Sequence, residues 1–199
     1  MKSDIILAGV GGQGILSIAA TIGMAALDND LQLKQSEVHG MSQRGGAVQS
    51  HLRISDKSIS SDLIPVGKAD LIISVEPMEG LRYLSYLTAD GWLVTNSKPL
   101  KNIPDYPEIG ELTESIDKIK NHIILDSDKI AQKIKSPRST NMVMLGAASP
   151  FIDIPYKSFE VGIEKIFGRK GEQIVKLNLD ALKAGREFSE RSVKFELNS

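Results

Sequence analysis

The chain alternates short, nearly continuous apolar runs with longer stretches whose apolar residues recur every three or four positions. These are the periods of buried strands and of amphipathic helices. Residues 4–10, DIILAGV, are apolar almost throughout and end among glycines, which predicts a strand covered on both faces. In GILSIAATIGMAALDND the residues Ile15, Ile18, Ala19, Ile22 and Ala26 share one face, so a helix is expected up to the Asn29-Asp30 turn. LQLKQSEV predicts a second strand. AVQSHLRIS sets Val48, Ser50, Leu52 and Ile54 against Gln49, His51 and Arg53, a strand with one wetter face. ADLIISVEP is the clearest strand of all, stopped by Pro77. The spacing of Leu81, Leu84 and Leu87 predicts a helix over MEGLRYLSYL, followed by a turn and strand in DGWLVTNS and a short strand in NHIILD.

Pro99, Pro104 and Pro107 mark KPLKNIPDYPEIGE as a loop. A short helix is expected over 126–134. STNMVMLGAAS opens with N-cap chemistry and continues as an apolar helix, with Asn141 either capping it or joining the ligand-facing edge. Two amphipathic helices come next, YKSFEVGIEKIFG and EQIVKLNLDALKAGREF, with Gly168 placed to end the first. On the second, Ile174, Leu177, Ala181 and Ala184 form a stripe flanked by Val175, Leu179 and Leu182, suited to intrachain core or to a partner chain. The alternation predicts a single-domain α/β fold over the 199 residues. The expected architecture is Rossmann-like: an open, mostly parallel sheet, helices on both faces, and two additional C-terminal helices.

GVGGQG places Gly9, Gly11 and Gly14 in GxGxxG spacing at a predicted strand-to-helix junction. The first glycine permits a tight turn, the second lets backbone approach a ligand, and the third lets helix and sheet pack closely. Exposed N–H groups at the helix start favour an anion. The motif has two readings: nucleotide or phosphate binding by Gly9, Gly11, Gly12, Gln13 and Gly14, or a structural turn of the same shape. Glu37 stands about where a dinucleotide fold carries its ribose-binding acid. It leads into a run of polar and small residues rather than a compact turn, and no second domain for a hydride-accepting substrate is evident. An NAD(P)-dependent oxidoreductase is therefore the alternative reading.

Ligands of open α/β sheets bind beyond the carboxyl ends of the strands. Residues 11–14, 37–46 and Glu76-Pro77 each follow or end a predicted strand, so they are expected to share one rim. The segment EVHGMSQRGGAV is too polar for a core element and too rich in donors for a plain connector. Arg44, beside Gly45 and Gly46, offers a fork of donors to a phosphate or carboxylate, or is a solvated surface arginine. Glu37 either pairs with a neighbouring cation or contributes to the reaction, and His39 is either a structural histidine or a contributor. Glu76 and Arg44 are expected to face a cofactor together with the glycine turn. Met41 is either core filler or part of a contact surface.

Composition narrows the chemistry. With 24 basic and 25 acidic residues the net charge is −1, which gives no electrostatic footprint for nucleic acid. No run approaches the roughly 18 apolar residues of a membrane span, and the N-terminus is apolar too briefly for a signal peptide; a cytoplasmic protein is expected. The chain contains no cysteine, so it cannot ligate an iron–sulfur cluster through thiolates. Its three histidines, His39, His51 and His122, do not form a metal-ligand pattern, and no metal is expected on it.

GVGGQGI, EVHGMSQRGGAVQSHLRI, ADLIISVEPMEGLRYL, NMVMLGA and NLDALKAG, in this order along nearly the whole chain, resemble the gamma-type domain of the 2-oxoacid:ferredoxin oxidoreductases. The wording EVHGMSQRGG is most similar to the indolepyruvate branch. The resemblance implies a small enzyme subunit, inactive alone. It also implies a larger alpha-type partner that carries thiamine diphosphate and [4Fe–4S] clusters and passes electrons to ferredoxin. Coenzyme A would be the co-substrate, an aryl pyruvate the substrate, and no cofactor would be held tightly by this chain. The GDG motif and asparagine pair of thiamine-dependent enzymes are absent here, in keeping with that division of labour. On this reading the chain holds no catalytic residue alone, and Glu37, His39 and Arg44 are candidate contributors. A purely structural subunit without ligand contact is a third reading. Whether the isolated chain forms a homodimer is left open.

Overall fold

The computed structural model describes residues 1–40, 45–101 and 103–196, of which 194–196 by backbone alone. Six strands build one sheet: β1 (Lys2–Val10), β2 (Gln32–His39), β3 (Ala47–Ser55), β4 (Ala69–Ser74), β5 (Leu87–Asn96) and β6 (His122–Leu125). Their order is β2-β3-β1-β4-β5-β6. The β1/β4, β4/β5 and β5/β6 pairs are parallel, and β3 is antiparallel to both of its neighbours. Only β3 therefore runs against the others, and the expected mostly parallel sheet holds. Its reversal comes from the link: a parallel crossover needs a dozen or more residues, and the stretch between His39 and Ala47 is shorter than that.

One face of the sheet packs under α1 (Ile15–Leu27), α4 (Ser127–Lys133), α5 (Thr140–Ala148), α6 (Tyr156–Phe167) and α7 (Glu172–Glu196). Ile5, Leu7, Leu52, Ile54 and Ile73 point there, as the period-two alternation requires. The other face, carrying Ile6, Ile72 and Leu93, is covered by Ile64 of a long loop and by α2 (Pro77–Arg82) and α3 (Ile109–Asp117). Because β1 and β4 are covered on both faces, they are buried at nearly every position, and their central residues 5–8 and 71–73 are all apolar.

Helix α3 departs from expectation, because three prolines just before it give its surroundings the signature of a loop. Its apolar positions Ile109, Leu112 and Ile116 nonetheless lie on one face, and Leu112 and Ile116 are buried. Strand β5 starts at Leu87 and takes in Asp90-Gly91, expected as a turn; a register irregularity against β4 between Ala69 and Leu71 accommodates it. At the end of α6, Gly168 stays right-handed, and the left-handed residue is Gly171, φ 100°.

The predicted stripe of α7 also moves. Ile174 is exposed, and the line that the fold covers is Asn178, Ala181, Leu182, Gly185 and Ser189. The reason lies in two glycines. A Cβ on Gly146 of α5 would stand 1.9 Å from the Leu182 carbonyl oxygen, and one on Gly185 would stand 1.9 Å from that of Val143. The helices meet backbone to backbone, so small residues rather than large ones occupy the centre of the contact.

Candidate functional site

The glycine turn connects β1 to α1 at the carboxyl end of the sheet. Gly12 and Gly14 have φ of 100° and 81°, values that side-chain-bearing residues resist. Gly9 is needed for space, since a Cβ there would lie 2.3 Å from Val75 Cγ2. Gln13 serves the turn itself. Its Oε1 accepts from the Val10 N–H at 2.8 Å, and its Nε2 donates to the Val75 carbonyl at 3.4 Å. The side chain thus bridges the ends of β1 and β4, the strand pair flanked by crossovers on opposite faces, where open α/β sheets place ligands. Helix α1 begins at Gly14 without a side-chain cap.

The turn is tied to the next rim segment by the Gly11 N–H, which donates to the Gly46 carbonyl at 2.8 Å. Gly11, Gly12 and Gly14 share a groove of about 310 Å³ with Glu37 and His39. The described parts of all three rim segments therefore converge, since Val75, next to Glu76, packs on Gly9 and accepts from Gln13. Glu37 lies in β2, the edge strand, as predicted, and His39 differs from expectation in belonging to that strand rather than to a loop after it. Their side chains form a pair, His39 Nε2 standing 2.6 Å from Glu37 Oε1. That oxygen is buried and has no aligned hydrogen bond among the described residues, so the imidazole meets it as an ion-pair partner rather than through a well-directed hydrogen bond. The Glu37 side chain is 18% exposed and that of His39 55%, which sets the histidine toward solvent and the carboxylate beneath it.

Glu76 has other duties. It is fully buried at the end of β4, where it caps α2 by accepting from the Glu79 N–H at 2.8 Å. It also accepts from the Leu100 N–H and from the Tyr106 hydroxyl. Burial, with the Glu76 carboxylate beside it, pushes the Tyr106 phenol well above its ordinary range. Both Glu76 oxygens are occupied by the chain's own donors, so this residue organises the rim from behind and does not line the groove. Arg44 and Met41 lie outside the described residues. Asn141 serves both alternatives: its Oδ1 accepts from the Met142 N–H in the first turn of α5, whose N-cap Ser139 makes no side-chain cap bond, and its amide donates to the Gly14 carbonyl at 3.4 Å, fastening α5 to the glycine turn.

Leu16 is a groove residue that the sequence reasoning missed. It is 54% exposed on the first turn of α1 and lines the groove beside the glycines. A signal existed, because Leu16 lies off the Ile15, Ile18, Ile22 face and so has no place in the core. Val38, 58% exposed on β2, adds apolar surface to the same edge strand. The arrangement therefore combines donor groups of a glycine turn, an acid–histidine pair and uncovered aliphatic side chains. It differs from a dinucleotide site in two respects. Antiparallel β3 separates Glu37 from the glycine strand, and Gln13 spends its amide on the backbone of Val10 and Val75 at the ends of β1 and β4.

Among the described residues no group of histidine and acidic side chains is arranged to hold a metal ion. No described helix is long and apolar enough to cross a membrane.

Residues 4–188 match the family described as pyruvate ferredoxin/flavodoxin oxidoreductase. The indolepyruvate oxidoreductase subunit IorB of Archaeoglobus fulgidus is 37% identical over 194 residues, covering 93% of this chain and 94% of that one. IorB of Pyrococcus horikoshii is 36% identical over 166 residues, 79% of this chain and 82% of the relative. In fold, the chain is similar to the gamma subunit of a keto/oxoacid ferredoxin oxidoreductase from Geobacter sulfurreducens. That match has a TM-score of 0.69 at 22% identity and covers 95% of this chain and 99% of the other. The extent of these matches, over the same glycine turn and rim just described, places the chain in the pyruvate ferredoxin/flavodoxin oxidoreductase family.

Proposed function

We propose that the chain is the small subunit of an indolepyruvate-type 2-oxoacid:ferredoxin oxidoreductase, and that its rim completes the active site of a larger subunit. The relatives at 36 and 37% identity bear the name of indolepyruvate oxidoreductase subunits, which supports the substrate branch. The observation that carries the site reading is the groove joining Gly11, Gly12 and Gly14 to the Glu37–His39 pair. The reaction converts an aryl pyruvate and coenzyme A into an acyl-CoA and carbon dioxide, releasing one proton and two electrons that pass to ferredoxin.

Thiamine diphosphate supplies the electron sink for decarboxylation, and iron–sulfur clusters carry the electrons. Neither has its usual donors here: the chain contains no cysteine, and it lacks the GDG motif and asparagine pair of thiamine-dependent enzymes. Both groups belong on the larger subunit. The small chain contributes position and charge. Glycine-turn N–H groups and Arg44 present positive potential to an anionic group at the interface. His39 sets its imidazole over the Glu37 carboxylate, and Leu16 and Val38 exclude water where the subunits meet.

Co-expression with the larger subunit, followed by oxidation of indolepyruvate with coenzyme A and an electron acceptor, tests this. Arg44→Ala and His39→Ala are expected to assemble normally and to lower turnover, or raise KM for one substrate, by at least tenfold. Normal assembly with full turnover in both variants would show a structural subunit instead. NAD-dependent hydride transfer by the chain alone would remove the subunit reading.

A further inference from the structure

Between the start of α5, the end of α6 and the first turns of α7 lies a second cleft, of about 540 Å³, within the range of small-molecule sites. Lys135, Arg138 and Lys170 line it, and none of them forms an ion pair with a described residue. No carboxylate lines it, although the chain carries 25 acidic residues. The groove between α4 and α7, by comparison, holds Asp126 and Glu187 beside its cations.

Further details point the same way. Lys135, at a φ of 57°, is the left-handed residue that ends α4, where the Ser136 N–H donates to the Ala131 carbonyl at 2.8 Å, so its backbone is pinned at the edge of the cleft. Lys170 Nζ sits 5.3 Å from the centre of the Phe167 ring, which fixes that charge against the cleft wall. The facing wall is apolar, with Leu177 and Ile174, the latter 37% exposed. Asn178, 6% exposed, gives its Nδ2 to the Ile174 carbonyl, and its Oδ1 has no hydrogen-bond partner among the described residues.

We propose that this cleft binds an organic phosphate, with the phosphate or pyrophosphate on Lys135, Arg138 and Lys170 and the organic body against Ile174 and Leu177. The Arg138 fork suits phosphate oxygens, and the unused Asn178 carbonyl oxygen accepts from a donor on the body. Ser17 lines this cleft and Leu16 lines the rim groove, so the two sites flank the first turn of α1. The same chemistry would serve the phosphate-bearing end of coenzyme A or a free nucleotide.

The test titrates ADP, inorganic pyrophosphate and adenosine calorimetrically into the full chain at low salt, in parallel with Arg138→Ala/Lys170→Ala. ADP and pyrophosphate are expected to bind and to weaken with added salt, adenosine to bind at least tenfold more weakly, and the double variant to lose at least tenfold in ADP affinity at unchanged Tm. In the reconstituted complex, competition of ADP with coenzyme A and a raised KM for coenzyme A in the variant identify the acyl acceptor as the source. A change of turnover without competition identifies a free nucleotide. Equal binding by wild type and variant, or no binding of either phosphate, overturns the proposal. Binding of polyglutamate with both phosphates inert also overturns it, since the cleft would then dock protein. The titration needs no partner subunit, so its failure leaves the rim reading standing.

Discussion

At the scale of single residues, the rim is ordered by groups that never reach its surface. Glu76 gathers the N–H groups of Glu79 and Leu100 and the Tyr106 hydroxyl around one buried carboxylate. Removing the side chain would orphan three buried or half-buried donors, each worth about 1–3 kcal/mol, and would uncap α2. Glu76→Ala is accordingly expected to lose at least about 2 kcal/mol in urea unfolding, and Glu76→Gln, which keeps one acceptor oxygen, to lose less. An alanine variant within about 0.5 kcal/mol of wild type would refute this account. The place of Glu76 at the end of a strand on the ligand edge predicts a cofactor-facing group. The position is legible in the sequence and the role is not, because the partner that consumes its charge, Tyr106, stands 30 residues away in a proline-rich loop.

At the scale of elements, the α5/α7 crossing depends on Gly146 and Gly185. Their nearest neighbours are backbone oxygens, which cannot swing aside as a flexible side chain would. Gly146→Ala and Gly185→Ala are expected to destabilise by at least about 3 kcal/mol or to prevent folding, despite the gain of roughly 1 kcal/mol in helix propensity. Gly110 in α3 has nothing within 4 Å of a built Cβ, so Gly110→Ala isolates that propensity and should raise stability by up to about 1 kcal/mol. Thermal unfolding of the three variants under one condition separates packing from propensity; equal effects would remove the close-contact explanation. Periodicity puts an apolar stripe on α7 because it registers hydrophobicity. It has no term for two glycines on different helices facing each other.

At the scale of the whole molecule, stability should narrow at both ends of the pH range. Burial lowers the pKa of His51, whose Nδ1 accepts from the Ile64 N–H at 3.0 Å and so keeps its proton on Nε2. The unfolded imidazole takes up a proton near pH 6.5, so the His51 contribution is complete above that pH and is lost as pH falls. Tyr156, with its phenol raised to about 12 chiefly by burial, behaves in the opposite sense. Its contribution is complete below about pH 10, where unfolded tyrosine ionises, and is lost as pH rises toward about 12. Urea midpoints across pH should show His51→Gln with a flatter acid limb and Tyr156→Phe with a flatter alkaline one. Wild-type slopes in both variants would discard the linkage.

Much of this protein is written in local pattern. Apolar runs and helical periods predict the strands and most of the helices, the glycine spacing predicts the tight turn, and the missing cysteines exclude thiolate ligands, because each depends on neighbours along the chain. Tertiary structure decided what pattern cannot carry. It inserted a reversed β3 between Glu37 and the glycine strand, turned Gln13 and Glu76 inward, and brought Lys170 to the Lys135–Arg138 segment in one cleft without an acid. Those outcomes depend on which distant group arrives to share a proton, a charge or a van der Waals boundary. Such encounters are set by the packing of the sheet and its helices, and spacing along the sequence does not encode them.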